Sequence, residues 1–325
     1  MTNALTIGSR GEKSRTAPSA AARRRARSNR PSWDEPPTAV GQAAKGLTLG
    51  GMLAVILVPL WIIVLTSFST PGAVNRAGGL VIWPDGLTTG TYRQMLSDPT
   101  VLTALFVSLG ITVVGTAVSM VVSVLCAYGL SRPRSLGHRF VLMLLIITMF
   151  VGGGLIPSFL VVTGLGGYGQ WWALILPGAV SVFNILVLRS FYQDTSSELI
   201  DAARMDGAGD WRILWSVVLP TSRAVTAVTA LFYAVGYWNS FFNVMLYMPT
   251  DSQKWPLQYV LLTYVNRGNG LPGSVNAGFG NDHAQTAPLA LQMAVVVLTL
   301  VPLMIVYPFV QKHLRAGVLT GAIKG

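Results

Sequence analysis

Long apolar runs alternate with short polar interruptions along this chain. Six runs stand out, at about 47–69, 101–127, 140–163, 171–192, 224–248 and 287–311. As helices rising about 1.5 Å per residue, each is long enough to cross a hydrocarbon layer about 30 Å thick. Lipid offers no partner to an open backbone, so helices are the expected element. The pattern therefore predicts an all-α, polytopic membrane protein with six transmembrane helices. The third run is interrupted by Gly152, Gly153, Gly154 and Pro157, where a bend or a close helix contact is expected. Two longer interruptions, 70–100 and 249–286, carry Trp83, Pro84, Tyr92, Trp255, Pro256, Tyr259 and Tyr264. Such aromatics suit an ordered layer at a membrane surface, with short helices lying on it.

One interruption, 194–220, is unusually acidic for its surroundings. Glu198, Asp201, Asp206 and Asp210 lie here between apolar runs, so the segment must sit in water. Thr195 and Glu198 have the spacing of a capping box, which starts a helix near Ser196. Leu199, Ala202 and Ala203 are expected on one face of it, and their small size admits a close neighbour. Gly207 suits a left-handed cap, Asp210 suits the cap of a second helix over Trp211–Leu219, and Pro220 suits its end. The prediction is a helix–turn–helix elbow. From the residues alone, a docking element for a soluble partner and an ordinary loop of two amphipathic helices are both open.

Composition agrees with the membrane reading. The 325 residues are 52% hydrophobic and 11% charged, with mean hydropathy +0.55, whereas soluble domains carry about 25% charged residues. The net charge of +11 would suggest nucleic acid in a soluble protein. Its distribution argues otherwise. Nineteen of the 23 Lys and Arg fall in the first 46 residues, in 128–139, in 189–223 and at the C-terminus. Only Arg76, Arg93, Lys254 and Arg267 fall in the remaining interruptions. The positive-inside rule then places both termini and 194–220 in the cytoplasm. Residues 1–46, with Arg23, Arg24, Arg25, Arg27 and Arg30, are expected to be a disordered basic tail that helps set this topology or meets lipid headgroups. The first apolar run is of spanning length, so a cleaved signal peptide is not expected.

Candidate chemistry is sparse. Cys126 is the single cysteine, and His138, His283 and His313 are scattered, so neither a metal site nor a catalytic cluster is expected. There is no G-x-x-x-x-G-K-[ST], hence no P-loop of the chain's own. The apolar runs hold no Asp, Glu or Lys, the usual residues of a proton-driven carrier.

The run Asp201-Ala202-Ala203, three residues, Gly207, nine residues, Val217, one residue, Leu219-Pro220 resembles the E-A-A-x3-G-x9-I-x-L-P signature of ABC importer permeases. That signature lies between spans four and five, as here. Asp201 and Val217 are mild departures, and Asp194-Thr195 stands where Ile-Pro often precedes the motif. The stretch 176–193, Trp238-Asn239 and the ending Gly317-x3-Gly321-Ala322-x2-Gly325 resemble the carbohydrate-uptake, MalG-like branch. The G-G-G-L-I-P-S-F-L run at 152–160 and Trp255-Pro256-Leu257-Gln258 resemble its LplC/YtcP-type group.

The resemblance covers about 45–325. It implies a type I ABC importer permease fold with a cytoplasmic coupling-helix elbow. Glu198, Asp201, Ala202, Ala203, Asp206, Gly207, Leu219 and Pro220 would then form the ATPase-coupling site. It also implies partners: two ABC ATPase subunits holding ATP and Mg, a related second permease in a heterodimer, and an extracellular or lipid-anchored solute-binding protein. The chain itself would hold no cofactor, would not be an enzyme, and would sit in the plasma membrane. The substrate implied is a sugar of oligosaccharide or aldouronate type. Sugars are bound by aromatic stacking and neutral hydrogen-bonding groups, so Asn184, Tyr233, Tyr237, Trp238, Asn239 and Asn243 are the candidate substrate path. Interhelical packing, with Asn as hydrogen-bond glue, explains the same residues. An ATP-independent carrier or channel is the alternative function. Internal repeats and mid-membrane ionisable residues would mark it, and neither is found.

Overall fold

The computed structural model describes residues 38–132, 137–194, 197–267 and 288–321. Among them the elements are helical, and the only β pairing is a single bridge between Ser69 and Leu87. The chain divides into two units, Met1–Val58 and Pro59–Gly325. Helix α1 (Ala39–Ser67) starts in the first and ends in the second, and it begins at Ala39 rather than at residue 47. Ala43, Ala44 and Lys45 favour helix, and the Thr38 hydroxyl accepts the Gly41 N–H at 3.1 Å. The expected basic tail therefore stops short of residue 46, and its remainder lies outside the described residues.

The second unit carries the rest. Short helices α2 (Pro71–Arg76) and α3 (Gly90–Ser97) precede the long α4 (Pro99–Ser131). Asp98 starts α4 by accepting the Thr100 N–H at 2.8 Å, and Pro99 fills the first position, where no N–H is needed. Then come α5 (His138–Phe150), α6 (Leu155–Gly164), α7 (Trp172–Ile175) and α8 (Val182–Gln193). The elbow contains α9 (Ser197–Met205), α10 (Asp210–Ile213), a π turn at Leu214–Val218 and α11 (Leu219–Thr221). After it come α12 (Arg223–Trp238), α13 (Phe242–Tyr247), α14 (Leu257–Arg267) and α15 (Pro288–Gly321).

Three helical stretches are long and apolar enough to cross a membrane: Ala39–Ser67, Pro99–Ser131 and Leu289–Pro308. Three bent pairs pass the same test together: α5 with α6 at 119°, Trp172–Gly178 with α8 at 50°, and Asp210–Thr221 with α12 at 87°. Six crossings result when each pair counts as one. The first bend falls at the glycine run. Gly154 adopts φ +79°, open to glycine, and Pro157 sits in the first turn of α6, where its missing N–H costs no helix bond. The run expected over 224–248 is not one helix. It breaks after Trp238, where Asn239 closes the helix: its backbone N–H and its side chain both donate to Val235 O, at 3.0 and 2.9 Å.

The core of this unit is where α12 crosses α4. A stripe of small residues on α4, including Ser108, Gly115, Ser119, Ser123 and Ala127, is buried. Tyr233 and Tyr237, one turn apart on α12, lie against it. Tyr237 OH pairs with Ser119 Oγ at 2.8 Å and Tyr233 OH with Ser123 Oγ at 2.7 Å. The reversed order of the two pairs makes the helices antiparallel. Both hydroxyls also hold the bend between α7 and α8: Tyr237 OH donates to Ile175 O at 2.9 Å, and Tyr233 OH accepts from Ser181 N–H at 3.1 Å. A phenol has one proton, so Ser119 is the donor towards Tyr237. Trp238 adds a tie to α15 through Nε1–H to Thr299 O at 3.1 Å.

Gly115 makes this crossing possible: a Cβ there would lie 2.9 Å from three carbons of the Tyr237 ring. Gly115→Val is expected to destabilise the purified protein by about 1–3 kcal/mol through overpacking. Thermal unfolding in detergent checks it, with Gly110→Val, where a Cβ meets nothing within 4 Å, as the neutral control.

Candidate functional site

Two places carry the sequence-predicted residues: the elbow and a cavity beside the α4–α12 crossing.

In the elbow, Glu198 stands in the first turn of α9 and Arg204 in its last, each suiting the helix dipole. The capping-box partner Thr195 lies outside the described residues. At the other end the helix closes as expected of Gly207. Its φ is +76°, its N–H reaches Arg204 O at 2.9 Å, and Ala208 N–H reaches Ala203 O at 2.9 Å. Those two bonds are the Schellman pattern. Nothing lies within 4 Å of a Cβ at Gly207, so the backbone conformation alone requires glycine.

The face of α9 differs from the expectation in one respect. Ile200 and Ala203 turn inward and pack with Ala208 against a core of α4, α8, Ile213 and Leu214. Leu199 and Ala202 point outward with Met205, which is 88% exposed. Asp201 and Asp206 are exposed too, and Asp201 lies 3.6 Å from Arg204. The elbow thus has a packed inner side and an outer side that mixes apolar and acidic groups.

Asp210 does not cap the second helix; Gly209 occupies that position. The Asp210 carboxylate pairs instead with Arg132, just past the end of α4. The Arg132 guanidinium lies 4.5 Å from the centre of the Tyr128 ring and also bonds its hydroxyl, and that hydroxyl donates to Asp210 O at 3.0 Å. Arg189 Nε–H donates to Leu130 O at 2.8 Å, so α8 also grips the end of α4. Nor does Pro220 end the helix. The π turn carries Leu219 N–H to Leu214 O, five residues back, and Leu219 and Pro220 continue into α11. The chain turns only at Ser222, and Thr221 Oγ1 donates to the carbonyls of Val217 and Val218 at 2.8 and 3.0 Å.

The second place is a cavity of about 290 Å³. Asn184, Tyr233, Tyr237 and Asn243 of the candidate path line it, joined by Ser181 and Ser240. Gly178 and Gly236 open its wall. No charged side chain lines it among the described residues. The Tyr hydroxyls are committed to the frame, and both residues are buried. Ser240 Oγ is buried with no partner among the described residues. Trp238 and Asn239 do not line the cavity. Trp238 is buried against α15, while Asn239 accepts from Gln258 at 3.4 Å. Trp255, from the same motif as Gln258, is likewise internal, donating to Met248 O at 2.8 Å.

Sequence reasoning missed the Arg132–Asp210 tie, the π turn and the serine rungs. The spacing of Ser119 and Ser123 repeats that of Tyr233 and Tyr237, one helical turn each, and that match was the available signal.

An apolar helical frame, a packed elbow and a cavity without charged lining among the described residues fit a membrane transport subunit. Residues 119–320 match the family described as "Binding-protein-dependent transport system inner membrane component", and the chain belongs to it. It is a sugar permease of the LplC/YtcP-type group. It is 40% identical over 276 residues to the polygalacturonan/rhamnogalacturonan transport system permease protein YtcP of Bacillus subtilis (strain 168), covering 84% of this chain and 95% of that one. It is 39% identical over 281 residues to protein LplC of the same organism, covering 86% and 93%. Among solved structures it is similar to a bacterial ABC transporter involved in the import of the acidic polysaccharide alginate. The TM-score is 0.77 at 28% identity, with 87% of this chain and 99% of that one covered.

Reversing the elbow's tie tests its role in transport. Arg132→Asp or Asp210→Arg alone is expected to lower sugar uptake by about threefold to tenfold, since each leaves like charges facing one another. The double exchange is expected to recover most of it. Uptake into cells expressing the four combinations at equal level checks this.

Proposed function

We propose that this chain is the membrane-spanning permease of an ATP-driven importer for uronate-containing oligosaccharides. It crosses the plasma membrane six times with both termini in the cytoplasm. It pairs with a second, related permease, receives sugar from an extracellular or lipid-anchored binding protein, and is driven by two ABC ATPase subunits that hold ATP and Mg. The chain itself contributes no catalytic residue and no cofactor.

The observation that carries the reading is the two-sided elbow. Ile200 and Ala203 pack inward on the ends of α4 and α8, while Leu199, Ala202 and Met205 stay uncovered on the other side. A short helix with an uncovered apolar face, fixed at its far end by Gly207, suits the groove of a soluble motor. Closure of the ATPase pair on ATP would push this element. Asp210 would pass the push to the end of α4, and the π turn and the 87° bend would pass it to α12. That is rigid-body movement between two arrangements. The uronate part of the reading rests on the substrates for which the relatives are named, polygalacturonan/rhamnogalacturonan and alginate.

The test is reconstitution of the four-subunit assembly in vesicles with its binding protein. Uptake of galacturonate oligomers is expected only with ATP inside the ATPase-facing compartment; uptake that persists without ATP or without the ATPases would leave the carrier reading standing. Gly207→Pro is expected to lower uptake by about tenfold or more, since proline cannot adopt the positive φ and removes the Arg204 bond. Ala203→Glu is expected to act likewise by forcing a carboxylate into the inner face. In both variants the permease should still be recovered from the membrane, and ATP hydrolysis should no longer rise with loaded binding protein.

A further inference from the structure

The second arm of the elbow, Asp210–Thr221, has three sides. Ile213, Leu214 and Val218 turn inward and pack with Ala127 and Leu130 of α4. Trp211 and Trp215, four residues apart, are 65% and 66% exposed. Arg212 and Ser216, also four apart, are exposed too. At about 100° per residue, Arg212 and Ser216 lie opposite the buried side, and the two tryptophans form the flank between.

Direction and depth say what meets this flank. The arm stands at 87° to α12, so where α12 crosses a membrane the arm lies along its surface. The inner side packs on the last turn of α4, whose 33 residues rise to about 50 Å, against a hydrocarbon core of about 30 Å. That turn is therefore at headgroup depth, and the flank of the arm faces sideways into the same layer. Tryptophan suits this layer, having a large apolar body and one N–H. Charge agrees. Arg212 on the arm and Arg223 at the bend are exposed and carry no ion pair among the described residues, whereas the exposed Asp201 and Asp206 belong to α9 and its end. Anionic lipid phosphates complement the arm and repel α9.

We infer that the arm is an anchor on the lipid surface: Trp211 and Trp215 sit among the headgroups, and Arg212 and Arg223 pair with the phosphates of anionic lipids. The inference rests on the reading of α4 and α12 as membrane crossings, and not on the ATP drive. An anchored arm holds the 87° bend at a fixed depth while α9 is moved.

The experiment places one nitroxide on the full-length chain in a Cys126→Ser background, at Trp215→Cys, Ser216→Cys or Val113→Cys. All three positions are exposed, so no buried packing is lost. The importer is reconstituted in vesicles of phosphatidylcholine and phosphatidylglycerol, with and without its ATPase subunits. Collisions with oxygen, which partitions into lipid, are compared with those of a neutral nickel chelate, which stays in water. The oxygen-to-nickel ratio is expected to be about threefold or more higher at position 215 than at 216 in both preparations. Arg212→Gln with Arg223→Gln is expected to lower the ratio at 215 by about twofold or more, and only when phosphatidylglycerol is present. A ratio at 215 as low as that at 216 would overturn the anchor. Protection of 215 from both reagents only with the ATPases present would overturn it in favour of an ATPase contact, and protection without them in favour of the second permease. An unchanged ratio in the arginine variant would overturn the phosphate pairing. A nickel-dominated ratio at 113, in the middle of α4, would instead overturn the membrane crossing on which the inference rests.

Discussion

The second unit of this protein depends on two phenol hydroxyls. Tyr233 and Tyr237 each serve two elements at once, pairing with a serine of α4 and with the backbone at the bend between α7 and α8. In a helix packing surrounded by lipid there is little hydrophobic drive between helices, so close packing and buried hydrogen bonds decide which faces meet. Gly115 provides the close approach and the serines provide the bonds. The hydroxyls hold both sides of the bend: Tyr237 meets Ile175 O one turn before it, and Tyr233 meets Ser181 N–H where the next helix starts. The frame of the cavity and the register of α12 on α4 are therefore one interaction.

The elbow is built on the opposite plan. Its inner side is apolar and packed, but its ties to the membrane helices are charged and partly exposed. Arg132 reaches Asp210 while its guanidinium lies over Tyr128, and the Tyr128 hydroxyl returns to the Asp210 backbone. A single exposed ion pair contributes little stability. A closed triangle of three groups does something else: it fixes the direction from which the elbow meets the end of α4.

Much of this was legible in the residues. The apolar runs locate the membrane helices, the glycines at 152–154 locate the sharpest bend, and Gly207 gives the left-handed cap, because each depends on local chemistry. Asn184, Tyr233, Tyr237 and Asn243 stand out in the sequence as polar or aromatic residues in apolar runs, and they meet at one cavity. Trp238 and Asn239 satisfy the same criterion but serve packing and a helix end, because helix orientation is set by neighbours that a single sequence does not display. Asp210 and Pro220 show the limit most clearly. Each has a strong local preference, for a cap and for a stop. Each is overruled by its surroundings, Asp210 by Arg132 and Pro220 by a helix that runs on from the π turn into α11.

That π turn changes the meaning of a spacing. Leu214–Val218 holds one more residue than an α turn would. A wider turn takes up that residue within itself, so the helix beyond keeps its phase and direction. Deleting one residue of 214–218 would tighten the turn to α geometry and leave Pro220 and the 87° bend facing as they do now. The turn is therefore a slack link: it tolerates the loss of one residue where the straight helices on either side would be wound out of register.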